Sequence, residues 1–398
     1  MAPSPLSRRS FLTRSIALGC SAAASPLLTP LSFASAPWDN RLVVIILRGA
    51  MDGLDVVQPY GDPALAALRP NLGFGEAAGA PDLDGFFSLH PALSDLMPLW
   101  RAQELGFIHA VSTPYRDKRS HFDGQDLLEA GTTGIGMAAG RDGWLNRMLQ
   151  TVPGIEAETA FSIGHENMLL LKGAAPVANW SPDVDLSLSP QGQRLAEMVM
   201  HDDPLFRDAL AEAILLTGGE GADMMMGQTG KTRPAGTRLI AEFAAQRLRA
   251  QTRIAAFSIG GWDTHKGQAT SLPRALGGLS EAILTLRKKL GPVWNKTAVV
   301  AMTEFGRTVR ENGTRGTDHG TGGAMLLAGG AIRGGKVYGD WPGLSETQLY
   351  ERRDLMPQRD VRAYAGWVMR GLFGLDKAVL ENAVFPGMQL ETAPGFLL

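Results

Sequence analysis

Two short segments bring acids and imidazoles together among glycines, and two more add acids alone. Ser258-Ile-Gly-Gly-Trp262-Asp263-Thr264-His265 sets a carboxylate and an imidazole two residues apart, and in extended backbone such residues project from the same side. Gly316-Thr-Asp318-His319-Gly320 places an acid beside an imidazole. In Thr303-Glu304-Phe-Gly-Arg307 the glutamate emerges directly from an apolar run, so it must be solvated, paired with Arg307 or bound to a cation, because an unpaired buried carboxylate is costly. Arg48-Gly-Ala-Met-Asp52-Gly-Leu-Asp55 supplies Asp52, which taken alone also reads as a turn-former. Carboxylate and imidazole together suit Zn²⁺, Mn²⁺ or Mg²⁺. Pooled, Asp52, Asp263, His265, Glu304, Asp318 and His319 would furnish a two-metal site, whose natural chemistry is ester hydrolysis. Asp turns, surface histidines and a Glu304–Arg307 ion pair are the plainer alternatives.

A nucleophile is offered by Arg119-Ser120-His121-Phe122-Asp123. Ser120 and Asp123 match a Ser-x-x-acid capping box, so Ser120 reads as the N-cap of a following helix. The same position puts its hydroxyl among free N–H groups at the positive end of a helix dipole, where an oxyanion is stabilised. Both readings stand at this point. Arg119 or Arg307 would clamp the anion. His121 could assist or ligate, although a polar loop histidine is the simpler reading. His90, His109, His165 and His201 lack such settings and read as structural or solvent-facing.

These groups need elements to carry them. Arg41 to Leu47 is a nearly unbroken apolar, β-branched run, the signature of a strand buried on both faces of a parallel sheet. Similar runs cover Leu105 to Val111, Arg253 to Ile259, Thr297 to Met302 and Ala324 to Ala328. Leu276, Leu279, Ile283, Leu286 and Leu290 form a helical stripe, Leu239, Phe243 and Leu248 a weaker one, and Val361 to Leu372 a closing helix. Alternating strands and helices predict an α/β fold with a mainly parallel sheet sandwiched between helices. In such sheets sites form at the carboxyl ends of the strands, where the segments above fall.

With 44% hydrophobic and 20% charged residues, the 398-residue chain can build a large core. Its 38 basic and 40 acidic residues give no basic surface for nucleic acid. One cysteine, Cys20, excludes a disulfide framework, a cysteine-rich zinc site or an iron–sulfur cluster. Ser7-Arg8-Arg9-Ser10-Phe11-Leu12, an apolar stretch from Ile16 to Leu28 and Ala34-Ser35-Ala36 read as a twin-arginine signal peptide over 1–36. Its removal takes away Arg8, Arg9, Arg14 and Cys20 and leaves 35 basic against 40 acidic residues. The mature chain, 37–398, reads as one domain with insertions and no membrane span, periplasmic or otherwise exported, with the twin-arginine translocase as its partner during export. Gly218 to Thr237, including Met224-Met225-Met226, reads as a flexible loop; packing explains its methionines better than contact with a soft metal.

The twin-arginine start, Leu47 to Leu54, Arg119 to Gln125, Gly261 to His265, Thr303 to Arg307 and Gly316 to Gly320, in this order, resemble the domain-of-unknown-function 1501 family of exported bacterial proteins. That family is grouped by resemblance with the alkaline phosphatase and sulfatase superfamily. The resemblance implies an alkaline-phosphatase-like fold, Asp52 as the first metal-ligand acid, Ser120 as nucleophile, and the later acids and histidines completing two metal sites. It also carries departures: a single Thr264 separates Asp263 from His265, and Glu304-Phe305 stands where superfamily enzymes have Asp-His. The expectation is an exported metal-dependent hydrolase of phosphate or sulfate esters, small or polymeric. Its rival is a non-catalytic exported metal-binding protein that holds a cell-envelope polymer or a protein partner.

Overall fold

The computed structural model describes residues 38–116, 119–134, 141–164, 168–181 and 235–398. The expected signal peptide, His165, His201 and the methionine run lie outside these residues. So does the expected loop up to Pro234, while Ala235 to Thr237 already belong to a helix.

The described strands are β1 (Arg41–Leu47), β2 (Val57–Gln58), β3 (Ser88–Leu89), β4 (Leu105–Ser112), β5 (Ala160–Ile163), β6 (Ala178–Trp180), β7 (Ile254–Ile259), β8 (Thr297–Met302), β9 (Gly323–Ala328), β10 (Val337–Tyr338) and β11 (Arg359–Asp360). All but β2 and β3 form one sheet in the order β10-β4-β9-β8-β1-β7-β5-β6, with β11 also on β4. The sheet is mixed but mostly parallel: only β9 runs antiparallel to its neighbours, β4 and β8. The helices that concern the site and the two layers are α1 (Gly53–Val56), α2 (His121–Ala130), α3 (Trp144–Gln150), α4 (Ala235–Arg249), α5 (Gln268–Leu290) and α6 (Val361–Phe373).

Alternate residues of β1 point into opposite layers. Val43, Ile45 and Leu47 join the cluster holding Leu276, Leu279, Ile283, Leu286 and Leu290 of α5. Leu42, Val44 and Ile46 join the one holding Val361, Val368 and Leu372 of α6 and Leu145 of α3. A strand covered on both sides has no face to give to polar residues, which is why β1 shows no alternation. The five strands read from apolar runs are all present, and β5 and β6 are too short for periodicity to reveal.

The reversal of β9 decides where the chemistry gathers. Segments that follow β1, β4, β7 and β8 leave from one edge of the sheet. Because β9 points the other way, the segment that precedes it, with Asp318 and His319, reaches that same edge.

Candidate metal centre

Three imidazoles converge on Asp263, and each has its Nδ1 committed to an oxygen. His121, the first residue of α2, bonds Glu304 Oε1 at 2.8 Å. His265 bonds Asp318 Oδ1 at 3.1 Å, and His319 bonds the carbonyl of Arg119 at 2.8 Å. A carbonyl or ionised carboxylate only accepts, so each Nδ1 carries a proton, and in the neutral imidazole each Nε2 keeps its lone pair. The three Nε2 atoms face inward. Those of His265 and His319 are 2.9 Å apart, and they lie 3.2 and 3.3 Å from Asp263 Oδ1. His121 Nε2 stands 3.5 Å from Asp263 Oδ2 and, although buried, has no hydrogen-bond partner among the described residues.

In the neutral rings, lone pairs facing one another this closely beside a carboxylate repel unless a proton or a metal cation lies between them. Metal–nitrogen bonds of 2.0–2.1 Å in a tetrahedron put ligand atoms about 3.3 Å apart, close to the separations seen. His121, Asp263 and His319 offer ligand atoms that all lie within 4.8 Å of one another, the one such group among the described residues. His265 joins through its short contacts to two of them. The residues present therefore fit a single ion, and a set of imidazoles plus one carboxylate suits Zn²⁺ better than Mg²⁺. The side chains of Asp263 and His265 are 48% and 42% exposed, so the centre opens to solvent on their side.

The groups behind the rings hold them by hydrogen bonds, and Glu304 is the buried one among them. Glu304 is fully buried, and besides His121 its carboxylate accepts from the Gly49 N–H at 2.9 Å, Gln125 Nε2 at 3.1 Å and Thr303 Oγ1 at 2.9 Å. Burial pushes its acidity down, but these donors, His121 first, outweigh it and hold the carboxyl below its ordinary range. His121 is raised in turn, chiefly by Glu304 against the effect of burial. Burial also opposes ionisation of Asp263, yet the bond and charge of Arg307, with His319 and His265, keep it at about 2. The Asn312 amide is the main cause that lowers Asp318, and burial lowers His319.

Several expected site residues take other places. Asp52 does not reach the imidazoles: its carboxylate is held by Arg69 at 2.7 and 2.9 Å and by Gln268 at 2.6 Å, and it caps α1 by accepting from the Leu54 N–H. The cation it meets is a guanidinium. Glu304 and Asp318 sit behind the ring as orienting partners of His121 and His265, not among the inward-facing atoms. The hydroxyl of Ser120 accepts from the Asp123 N–H at 3.5 Å, its one hydrogen bond among the described residues, so it caps α2 with no base against it. Arg307 pairs with Asp263 at 2.6 Å rather than with Glu304. Its remaining donors go to the carbonyls of Gly49, Ala50, Trp262 and Thr317, so the clamp grips backbone and Asp263. His121 was the residue set aside; its place just after the β4 exit, the criterion used for the other segments, was the available signal.

The family model described as "Protein of unknown function (DUF1501)" matches residues 97–363. The chain belongs to the DUF1501 family. The DUF1501 match spans all four inward-facing residues and begins after Asp52. No curated protein sequence matches the chain. Among solved structures it is similar to a protein in the alkaline phosphatase superfamily from Vibrio parahaemolyticus, at 12% identity over 92% of this chain and 76% of that one, TM-score 0.39. It is similar to the C-terminal periplasmic domain of EcEptC from Escherichia coli in complex with Zn, at 11% identity over 74% of each chain, TM-score 0.38. It is also similar to the PsFucS1 sulfatase from Pseudoalteromonas sp., at 13% identity over 99% of this chain and 78% of that one, TM-score 0.38. Likenesses at this level give this DUF1501 chain no residue roles.

Proposed function

We propose that this chain is an exported hydrolase of phosphate or sulfate esters that works with one divalent metal ion, Zn²⁺ by preference, held by His121, His265, His319 and Asp263. One observation carries the reading: three imidazoles with Nδ1 tied to oxygen turn their lone pairs toward one carboxylate. When bound, the ion supplies Lewis-acid polarisation of the ester and activation of water. Everything else is the work of the chain. Glu304, Asp318 and the Arg119 carbonyl hold a proton on each Nδ1, which fixes the tautomers and aims the rings. Arg307 holds one oxygen of Asp263 and draws the segments after β1 and β7 and before β9 around it. With Arg307 committed, the ester anion falls to Arg119, whose Nε is buried without a partner among the described residues and whose Nη2 there makes long contacts, 3.4 and 3.5 Å, to Asp354 and Glu351. The attacking group is water, since Ser120 has no base beside it.

The missing base and the engaged Arg307 also favour a second reading, a non-catalytic exported metal-binding protein that binds an envelope polymer or a protein partner. Metal analysis of the purified protein, followed by a panel of aryl phosphates, phosphodiesters and sulfates with Zn²⁺, Mn²⁺ and Mg²⁺, separates the two. Turnover lost in Asp263→Ala and His319→Ala supports the hydrolase. Silence across the panel with metal bound supports the binder, and absence of metal from protein exposed to Zn²⁺ refutes both. The ordered arginine pair, apolar stretch and small-residue cleavage site support export. No helix among the described residues is long and apolar enough to cross a membrane.

A further inference from the structure

Gln268, the first residue of α5, is fully buried, and its amide bonds four side chains, none of them an inward-facing ligand: Asp52, Asp55, Thr264 and Thr317. Its Nε2 donates to Asp52 Oδ2 at 2.6 Å and to Asp55 Oδ2 at 2.8 Å. Asp52, gripped by both Nη atoms of Arg69, can only accept. That fixes which way the amide faces. Its Oε1 is left on the far side, where it accepts from Thr264 Oγ1 at 2.9 Å and Thr317 Oγ1 at 2.7 Å. Thr264 stands between Asp263 and His265, and Thr317 directly precedes Asp318 and His319. One amide oxygen therefore meets both segments that carry inward-facing ligands after β7 and before β9. Those segments are also joined through the backbone, by the Thr317 N–H on the Thr264 carbonyl at 3.2 Å. The hydroxyls thus set how the two segments are turned toward each other, while the backbone keeps them together.

We infer that Gln268 is a positioning residue for the metal centre: anchored by Asp52 and Asp55, it sets the spacing of Asp263 and His265 against His319 through the hydroxyls of Thr264 and Thr317. This rests on the single-ion reading above. The predicted carboxylate ligand Asp52 thereby acts on the centre through two intermediate groups.

The test uses Co²⁺ as probe on the purified protein, with affinity from equilibrium dialysis and ligand geometry from the visible absorption of the bound ion. Thr264→Val with Thr317→Val removes both hydroxyls and keeps their shape; either single variant serves should the pair not fold. The expected result is Co²⁺ affinity weakened about tenfold or more, as when outer partners of metal ligands are removed, with an altered absorption band. Thr264→Ser with Thr317→Ser restores both. Gln268→Met is expected to behave as the valine pair does. A folded valine variant with the affinity and spectrum of the unmodified protein overturns the positioning role. Unmodified protein that takes up no Co²⁺ overturns the single-ion reading itself, and the positioning role with it.

Discussion

At the scale of single residues, what each histidine is bonded to matters more than its presence. His121, His265 and His319 are donors at Nδ1, and in their neutral form acceptors at Nε2, because an oxygen stands behind each ring. Glu304→Gln keeps the side-chain shape but removes the charge behind His121. It is expected to weaken Zn²⁺ affinity about 10- to 100-fold with the protein still folded, as read by competition with a chelating dye. His109 makes a different prediction. It is buried, with Nε2 bonded to the Val57 carbonyl and Nδ1 accepting from the Ala110 N–H, and burial depresses its pKa to about 4. The unfolded chain binds this proton near 6.5, so between those values it holds more protons than the folded one, and stability falls as pH drops through the window. The loss is of order 3 kcal/mol at pH 4. Urea unfolding across this range measures it, and the His109 ring resonances should not titrate above pH 5. His121 has the opposite sign: its raised pKa stabilises the metal-free protein in acid, and that contribution fades as pH climbs through the raised value.

At the scale of elements, the site depends on close approach between segments that leave different strands. Gly49, at φ +121°, follows β1; its N–H bonds Glu304, and a Cβ there would lie 2.6 Å from the Asp263 nitrogen. Gly316 sits where the segment before β9 crosses the one after β7, and a Cβ would lie 2.4 Å from the carbonyls of Thr264 and His265. Both contacts are with backbone, which cannot swing aside. Gly316→Ala is therefore expected to cost about 1–3 kcal/mol and to weaken metal binding by forcing the segments apart. Denaturant unfolding and metal titration of the same variant check the two effects. A stability loss with unchanged metal affinity would show that the crossing supports the fold alone.

At the scale of the whole molecule, the proposed function is that of exported cargo that carries its metal. Every inward-facing side chain is an imidazole or a carboxylate, and the one cysteine, Cys20, lies in the proposed signal segment. Such a centre withstands an oxidising compartment, where a thiolate would be at risk. Arg8→Lys with Arg9→Lys is expected to hold the precursor in the cytoplasm with its metal centre intact. Fractionation and immunodetection check it, and unchanged export of this variant would refute the twin-arginine reading.

The sequence by itself determined the strands β1, β4, β7, β8 and β9, the α5 stripe and the segments that carry the chemistry. Each is set by local patterning or by residues a few positions apart. It did not determine which atoms meet. Asp52 and Glu304 looked alike as acids after apolar strands, but Arg69, 17 residues beyond Asp52, neutralises the first, and His121, 183 residues before Glu304, takes the second. Arg307 looked like Glu304's partner at three residues, yet packing turned it to Asp263 and four carbonyls. Only the tertiary structure could decide these, because an ion pair or a metal centre depends on distances in space. Those distances were set by the reversal of β9 and the close crossing of glycine-bearing segments, to which local residue patterns are blind.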